Sequence, residues 1–360
     1  MVMLSDLDTP FLAVERDVLE ANLRAMAELA AERGIALRPH AKTHKCIEIA
    51  RRQLALGAAG LTVATVGEAE VFAAAGVDDL FLAYPIWPAG QRGRRLRDLA
   101  GQLSLTVGID SAEAAPLLAR ALAGTGARVL VEVDSGHHRS GAHPSEAGRV
   151  AAAAERAGLP VAGVFTFPGH GYGPGRRATA ADEEARALAE AAAALRATGI
   201  EPAVRSGGST PTAGVPAGSA ADGLTELRPG VYAFNDAQQV ELGSAGWSAV
   251  ALTAVTTVVS RRPGTVVVDA GSKTLGADQP GWTTGAGRLP AYPDARVVAL
   301  SEHHATVEFP PGTEAPALGT VLRLAPNHVC SAVNLADELV VTAAGQVVDR
   351  WAVAARGRNR

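Results

Sequence analysis

Basic side chains crowd one short stretch of this 360-residue chain: Leu37-Arg38-Pro39-His40-Ala41-Lys42-Thr43-His44-Lys45-Cys46. The stretch closes a β-rich run, and alternation along an extended strand would put Arg38, His40 and Lys42 on one face. A lysine flanked by cations in a partly dry site gives up its proton more readily, as an amine must to form a Schiff base with an aldehyde. A solvated basic loop is the competing reading, and the residues alone leave both open. A second cluster is Gly207-Gly208-Ser209-Thr210, where small residues let backbone N–H groups approach a phosphate and two hydroxyls add hydrogen bonds. Alone it is also an ordinary turn. The third is Pro326-Asn327-His328-Val329-Cys330. Residues i and i+2 of an extended strand face the same side, so the His328 imidazole and Cys330 thiolate would converge, and both suit zinc. Two ligands leave room for water or substrate, as a catalytic metal requires. A chance His-x-Cys containing a buried cysteine is the alternative.

Up to about residue 240 the chain alternates between short β-rich runs and segments of helical period, the pattern of βα units and a parallel sheet. Eight strands are expected at FLAVE (11–15), ALRPHA (36–41), GLTVATV (60–66), DLFLAY (79–84), LSLTVGID (103–110), RVLVEVD (128–134), VAGVFTF (161–167) and AVRSG (203–207). Helices over 17–33 and 181–198 lie between them, and Thr65-Val-Gly-Glu68 offers a capping box. Eight such units predict a (β/α)8, TIM-like barrel over residues 8–240, whose chemistry sits where strands end and whose phosphate site commonly follows the last two strands. After residue 240, β-branched runs separated by Gly and Pro predict a mostly antiparallel β domain over 241–360.

With 33 Lys and Arg against 37 Asp and Glu, and no basic cluster able to track a phosphate backbone, nucleic acid is not expected as a partner. No apolar segment approaches the ~20 residues that span a bilayer, so a soluble cytoplasmic protein is expected. Cys46 and Cys330 are the two cysteines, too few for a disulfide framework.

RPHAKTHK resembles the cofactor-lysine motif of the D-serine dehydratase and D-threonine aldolase family, fold-type III pyridoxal-phosphate enzymes related to alanine racemase. Further matching stretches follow in the family's order: TPFLAVE, VEVDSGHHRSG, PGHGY, SGGSTPT, ELRPGVYAF, VVDAGSK, SEHHA and PNHVC. The resemblance covers nearly the whole chain. It implies that Lys42, rather than Lys45, carries pyridoxal 5'-phosphate, with His40 beside it. It further implies that Gly208, Ser209, Thr210, Gly230 and Val231 cradle the phosphate and that Arg228 matches the arginine at the pyridine nitrogen in alanine racemases. His328 and Cys330 then match the family's metal motif, with zinc as the first expectation and manganese the second. In PGHGY, where family members often read His-x-Gly-His-Ser-Tyr, Phe167 replaces the first histidine and Gly171 the serine; Tyr172 can still contact cofactor or substrate. His304 is a candidate orienter of the metal ligands, or a surface histidine. Arg139 follows the sixth strand, with an internal ion pair as its alternative role.

The implied substrate is a small D-3-hydroxy amino acid such as D-serine or D-threonine. Lys42 would anchor the cofactor and, once displaced by the substrate amine, abstract the α-proton. A metal on the β-hydroxyl then favours either loss of hydroxide, giving a 2-oxo acid and ammonia, or cleavage of Cα–Cβ, giving glycine and an aldehyde. Cys330 matches the dehydratase branch, where the aldolase branch more often has Asp, so a dehydratase is expected and an aldolase is the alternative. A racemase is less favoured, because no alanine-racemase tyrosine motif occurs among Tyr84, Tyr172, Tyr232 and Tyr292. A non-catalytic pyridoxal-phosphate carrier would lack the C-terminal domain. Relatives of this fold type form head-to-tail dimers, so a homodimer is expected by resemblance.

Overall fold

The computed structural model describes residues 2–215 and 223–360. In chain order the strands are β1 (Val2–Met3), β2 (Phe11–Glu15), β3 (Ala36–Leu37), β4 (Leu61–Val63), β5 (Asp79–Pro85), β6 (Ser104–Ile109), β7 (Arg128–Glu132), β8 (Val161–Phe165), β9 (Val204–Gly207) and β10 (Glu226–Leu227). They continue with β11 (Leu252–Arg262), β12 (Thr265–Val268), β13 (Gly287–Arg288), β14 (Arg296–Leu300), β15 (Ala305–Glu308), β16 (Val321–Pro326), β17 (Glu338–Ala343) and β18 (Gln346–Ala352). Two compact units result. One comprises Met26–Lys42, Ala50–Gly230 and Arg358–Arg360, the other Met1–Ala25, Thr43–Ile49 and Val231–Gly357.

In the first unit β3 to β10 form an eight-stranded, all-parallel sheet in the order β3-β10-β9-β8-β7-β6-β5-β4. A parallel bridge between His40 and Thr62, with Ala41 N donating to Thr62 O and Thr62 N to Pro39 O, joins its two ends. The sheet is therefore the expected TIM-like barrel. Helices alternate with the strands, among them Val66–Ala74, Gln91–Ala100, Ala115–Leu122, Ala147–Arg156 and Arg177–Arg196. Thr65 caps the first of these by accepting from Glu68 N, while the Glu68 carboxylate accepts from Ala64 N, one residue before the N-cap amide that a capping box uses. The barrel interior is filled: Phe81 and Phe165 meet edge to face with 5.0 Å between centroids, packed with Leu130.

The second unit is a ten-stranded sheet in the order β1-β18-β17-β2-β11-β12-β15-β14, with β16 on β11 and β13 on β16. Every pairing is antiparallel except that of β17 with β2. A bulge between Val258 and Ser260 lets the long β11 pair with β2 and β16 along its first half and with β12 along its second.

Two expectations need correction. FLAVE is not a barrel strand: as β2 it lies between β17 and β11, where Leu12, Ala13 and Val14 are all buried. A strand buried on both faces reads as a continuous apolar run whichever sheet holds it. The eighth barrel strand is instead Glu226–Leu227, two residues long and too short to leave a pattern. The division at residue 240 differs accordingly, since residues up to Ala25 cluster with the second unit. Among the described residues no helix is long and apolar enough to cross a membrane.

Candidate functional site

The strands deliver their last side chains to one edge of the barrel, and there lies a cavity of ≈ 470 Å³ lined by His40, Lys42, Ala64, Thr65, Ala83, Tyr84, Pro85, Asp110, Arg139, Ser140, Phe167 and Arg228. Lys42 sits in a turn just after the His40 bridge, and its backbone N–H donates to His40 Nδ1 at 3.4 Å. Its Nζ lies 5.5 Å from the centroid of the Phe167 ring, whose other cationic neighbour is Arg139 at 5.3 Å. Tyr172 stands beside Phe167, 6.2 Å between centroids. Lys45 is used differently: Nζ donates to Asn334 Oδ1 at 2.7 Å and the residue is buried within the second unit. Of the two candidate lysines, Lys42 is the one that lines the cavity.

Arg38 does not join that cavity. The strand pattern lapses after Leu37, and the Arg38 guanidinium is buried against Glu226 (2.6 Å) and Asp79 (2.7 Å), inside the barrel. Burial depresses its proton affinity, but the two carboxylates outweigh it and hold the pKa above the usual arginine value. Arg139, by contrast, lines the cavity, and its charge also acts on Glu132.

Arg228 follows β10 and is buried with its guanidinium 5.3 Å from each of the Phe81 and Phe165 rings, donating to Thr166 O. Burial lowers its pKa, opposed by Glu226, Glu184 and Glu132. Its Nε–H is buried with no partner among the described residues although the residue lines the cavity. A buried donor without a partner among the described residues, on a residue that lines the same cavity as a lysine, fits a pyridine ring whose nitrogen accepts a hydrogen bond and whose substituent aldehyde condenses with an amine. The cavity volume also suits a small ligand of that size.

The two proposed phosphate segments follow the seventh and eighth barrel strands, where barrels commonly bind phosphate. Gly208 has φ +79°, and a Cβ there would stand 2.1 Å from Leu227 Cδ1, so the turn requires glycine. Gly208 N–H is already engaged, donating to Glu184 Oε1 at 2.6 Å, and Ser209 is tied to Thr212 through its N–H and hydroxyl. Thr210 opens a single helical turn. Gly230 follows Pro229, whose carbonyl accepts from His40 N, and Val231 begins a short 3-10 turn in the second unit.

The metal motif has a different local basis from the one expected. β16 ends at Pro326, so His328 and Cys330 do not share a strand face; His328 is the extended N-cap of the helix Val329–Leu335, and Cys330 falls in its first turn. The two side chains still converge, because the chain turns there. His328 Nδ1 meets Asp278 Oδ2 at 2.6 Å, and Ser331 Oγ donates to the same oxygen at 2.8 Å. Asp236, fully buried, accepts from Val329 N and caps the helix Ala237–Glu241. Cys330 Sγ lies 3.3 Å from the hydroxyl of Thr43, the residue that follows Lys42 in the chain. Burial lowers the His328 pKa, yet the charge of Cys330 and the bonds to Asp278 and Cys330 push it up to about 11. A divalent cation would take the electron pair that this proton holds. An imidazole oriented by a carboxylate, beside a thiolate, is a donor set that fits zinc. Among the described residues, no group of three or more His, Cys, Asp or Glu is arranged to hold a metal, so the pair would leave coordination positions open.

Tyr84, Asp110, Ser140 and Thr65 in the cavity, and Asp278 and Asp236 near His328, were not named as site residues from the sequence. Tyr84 and Asp110 close two strand segments already identified, so the strand-end rule that led to Lys42 would have found them. His304 is exposed, and among the described residues only its backbone carbonyl is engaged, by Ser301 N; the residue bonded to the His328 ring is Asp278.

The alanine racemase N-terminal domain family matches residues 14–238, and the family described as "Putative serine dehydratase domain" matches residues 251–342. Over 372 residues the chain is 37% identical to a D-threonine aldolase of Arthrobacter sp., covering 99% of this chain and 95% of the relative. It is 33% identical to the D-threo-3-hydroxyaspartate dehydratase of Delftia sp. (strain HT23), covering 90% and 91%. A solved cysteine-to-alanine variant of D-threo-3-hydroxyaspartate dehydratase, described as the metal-free form, superposes with a TM-score of 0.89 at 32% identity, covering 98% of this chain and 99% of that one. With both domains matched in order and full-length relatives above 30% identity, the chain belongs to the D-serine dehydratase and D-threonine aldolase family of fold-type III, pyridoxal-phosphate-dependent lyases.

Proposed function

We propose that the chain eliminates water from a D-3-hydroxy amino acid, releasing a 2-oxo acid and ammonia, with pyridoxal 5'-phosphate on Lys42 and zinc on His328 and Cys330. The observation that carries the cofactor reading is that one cavity is lined by Lys42 and by Arg228, whose buried Nε has no partner among the described residues. Pyridoxal phosphate supplies the aldehyde for the amine and the electron sink for a carbanion at Cα. Lys42 Nζ anchors that aldehyde and, when the substrate amine replaces it, is the base for the α-proton. His40 holds the Lys42 backbone, and the Phe167 ring packs beside Nζ. Arg139 offers a partner for the substrate carboxylate, with Tyr84, Asp110 and Ser140 as further polar groups. Ser209, Thr210, Gly230 and Val231 are assigned to the phosphate, Gly208 to the turn that carries the first two, its own N–H being held by Glu184, and Tyr172 to the cofactor's surroundings. A zinc ion supplies a Lewis acid for the departing β-hydroxyl. Elimination is preferred over aldol cleavage because the second ligand is Cys330, and the solved dehydratase variant joins a lost cysteine to a metal-free form.

A second reading, cleavage to glycine and an aldehyde, is favoured by the higher identity of the Arthrobacter aldolase. Product analysis on D-serine, D-threonine and D-3-hydroxyaspartate separates them. Ammonia and 2-oxo acid in equal amounts are expected; glycine with aldehyde would replace dehydration by aldol cleavage, and neither product from pyridoxal-phosphate-loaded protein would reject both.

A further inference from the structure

Beneath the Gly207-Gly208 turn lies a carboxylate that the chemistry above does not use. Glu184 projects from the helix Arg177–Arg196, is 2% exposed, and accepts from Gly208 N–H at 2.6 Å through Oε1. The fit is tight enough that a Cβ on Gly207 would stand 2.3 Å from the same oxygen. The turn thus spends one of the amides expected to face a phosphate on a buried acid. We propose that Glu184 is a positioning residue for the cofactor's phosphate, fixing the turn through the Gly208 amide and taking up a proton when a phosphate group binds there.

The inference rests on the assignment of this turn to the phosphate. A phosphate and an ionised carboxylate on one short turn repel across a dry medium, and the carboxyl can end that repulsion by binding a proton from solvent. Either form of the carboxyl keeps an oxygen for Gly208 N–H, so protonation leaves the turn in place. Burial already pushes Glu184 up to about 7, against the Gly208 bond and the charge of Arg228, so the exchange falls in the physiological range. Its charged neighbours on the helix turn elsewhere, Glu183 to His170 and Arg176 and Arg177 to Pro211 O. Bound phosphate raises the carboxyl's pKa, so cofactor affinity is greatest where Glu184 is protonated in the free protein and declines as pH rises through about 7.

The test titrates the full-length apoprotein with pyridoxal phosphate and with pyridoxal, which lacks the phosphate, from pH 6 to 8.5. Wild type is compared with E184Q, which keeps an oxygen for Gly208 N–H but cannot ionise. The ratio of wild-type to E184Q affinity for pyridoxal phosphate should fall about tenfold over this range, one pKa unit of coupling, while the ratio for pyridoxal stays level. A flat ratio for both ligands, or the same fall for pyridoxal, overturns the proposal. Should E184Q not fold, proton uptake by wild type at pH 7 decides: more uptake with pyridoxal phosphate than with pyridoxal supports it, and equal uptake refutes it. Wild type that binds neither ligand would instead bring down the cofactor assignment itself, and this inference with it.

Discussion

Lys42 and Lys45 lie three positions apart in a stretch whose composition treats them alike, and their surroundings separate them. Lys42 faces a cavity with Arg228 and Tyr84, whereas Lys45 is bonded to Asn334. Lys42→Ala should therefore abolish the visible absorbance of bound cofactor, and borohydride reduction should label Lys42 in peptide maps. Lys45→Ala should keep the absorbance and lose about 1 kcal/mol of stability, the worth of one hydrogen bond. Labelling of Lys45 would reverse the assignment. The same contrast governs His328 and Cys330. Their pairing was legible because the two lie in one motif, but Asp278 lies 50 residues before His328 and no local spacing announces it. Cys330→Ala should leave cofactor absorbance intact, bring bound zinc well below one per chain by elemental analysis, and slow dehydration about 100-fold or more. Zinc retained at one per chain would remove Cys330 from the metal.

At the scale of elements, seven of the eight expected barrel strands are present, because long β-branched runs alternating with helical segments carry a strong periodic signal. The misplaced one, FLAVE, buries its three central residues in succession and has no alternation to distinguish one sheet from another. Glu226–Leu227 escaped notice for the opposite reason: two residues cannot show a period, and their place in the barrel is fixed by pairing with Ala36–Leu37 and with β9. The metal motif shows how two residues can be brought together by an element other than the one expected, since a helix N-terminus stands where a strand was expected. Arg38 marks the limit of the strand argument, because two carboxylates inside the barrel claimed a side chain that alternation alone assigned to the active cavity. The turn after β9 gives the element-scale test. Gly208→Ala puts a methyl against Leu227 at a positive φ, so it should cost about 1–3 kcal/mol of stability and weaken cofactor binding together. A variant with the wild-type urea midpoint and wild-type affinity would show that the turn has another conformation available.

Across the whole molecule, acidic residues outnumber basic ones, 37 to 33, but the pH dependence of folding is set by the few acids taken out of water. Burial pushes Glu132 up to about 7, against Ser140 and Arg139; it pushes Glu184 up to about 7 and Asp236 up to about 6. Each holds its proton more tightly folded than unfolded, so its contribution to stability is complete below the unfolded value near 4 and is lost as pH rises through the folded value. His328 acts in the same direction over a higher window: with a folded pKa pushed up to about 11, its contribution is complete below the ordinary value of 6.5 and shrinks above it. With its side chain 34% exposed, solvent screening makes that contribution the smaller one. Asp278, held below the usual carboxylate range by His328, works the other way, its contribution being lost only at more acid pH. Between pH 5.5 and 8 the metal-free, cofactor-free protein should therefore become less stable as pH rises, by up to about 1.4 kcal/mol per pH unit for each titrating group. Urea midpoints at constant ionic strength measure this directly, and Glu132→Gln and Glu184→Gln should each flatten the slope while preserving the hydrogen bonds to Ser140 and to Gly208 N. A midpoint that stays level or climbs over that range in the wild type would mean these carboxylates are ionised in the native protein, and the description of them as buried acids would have to be abandoned.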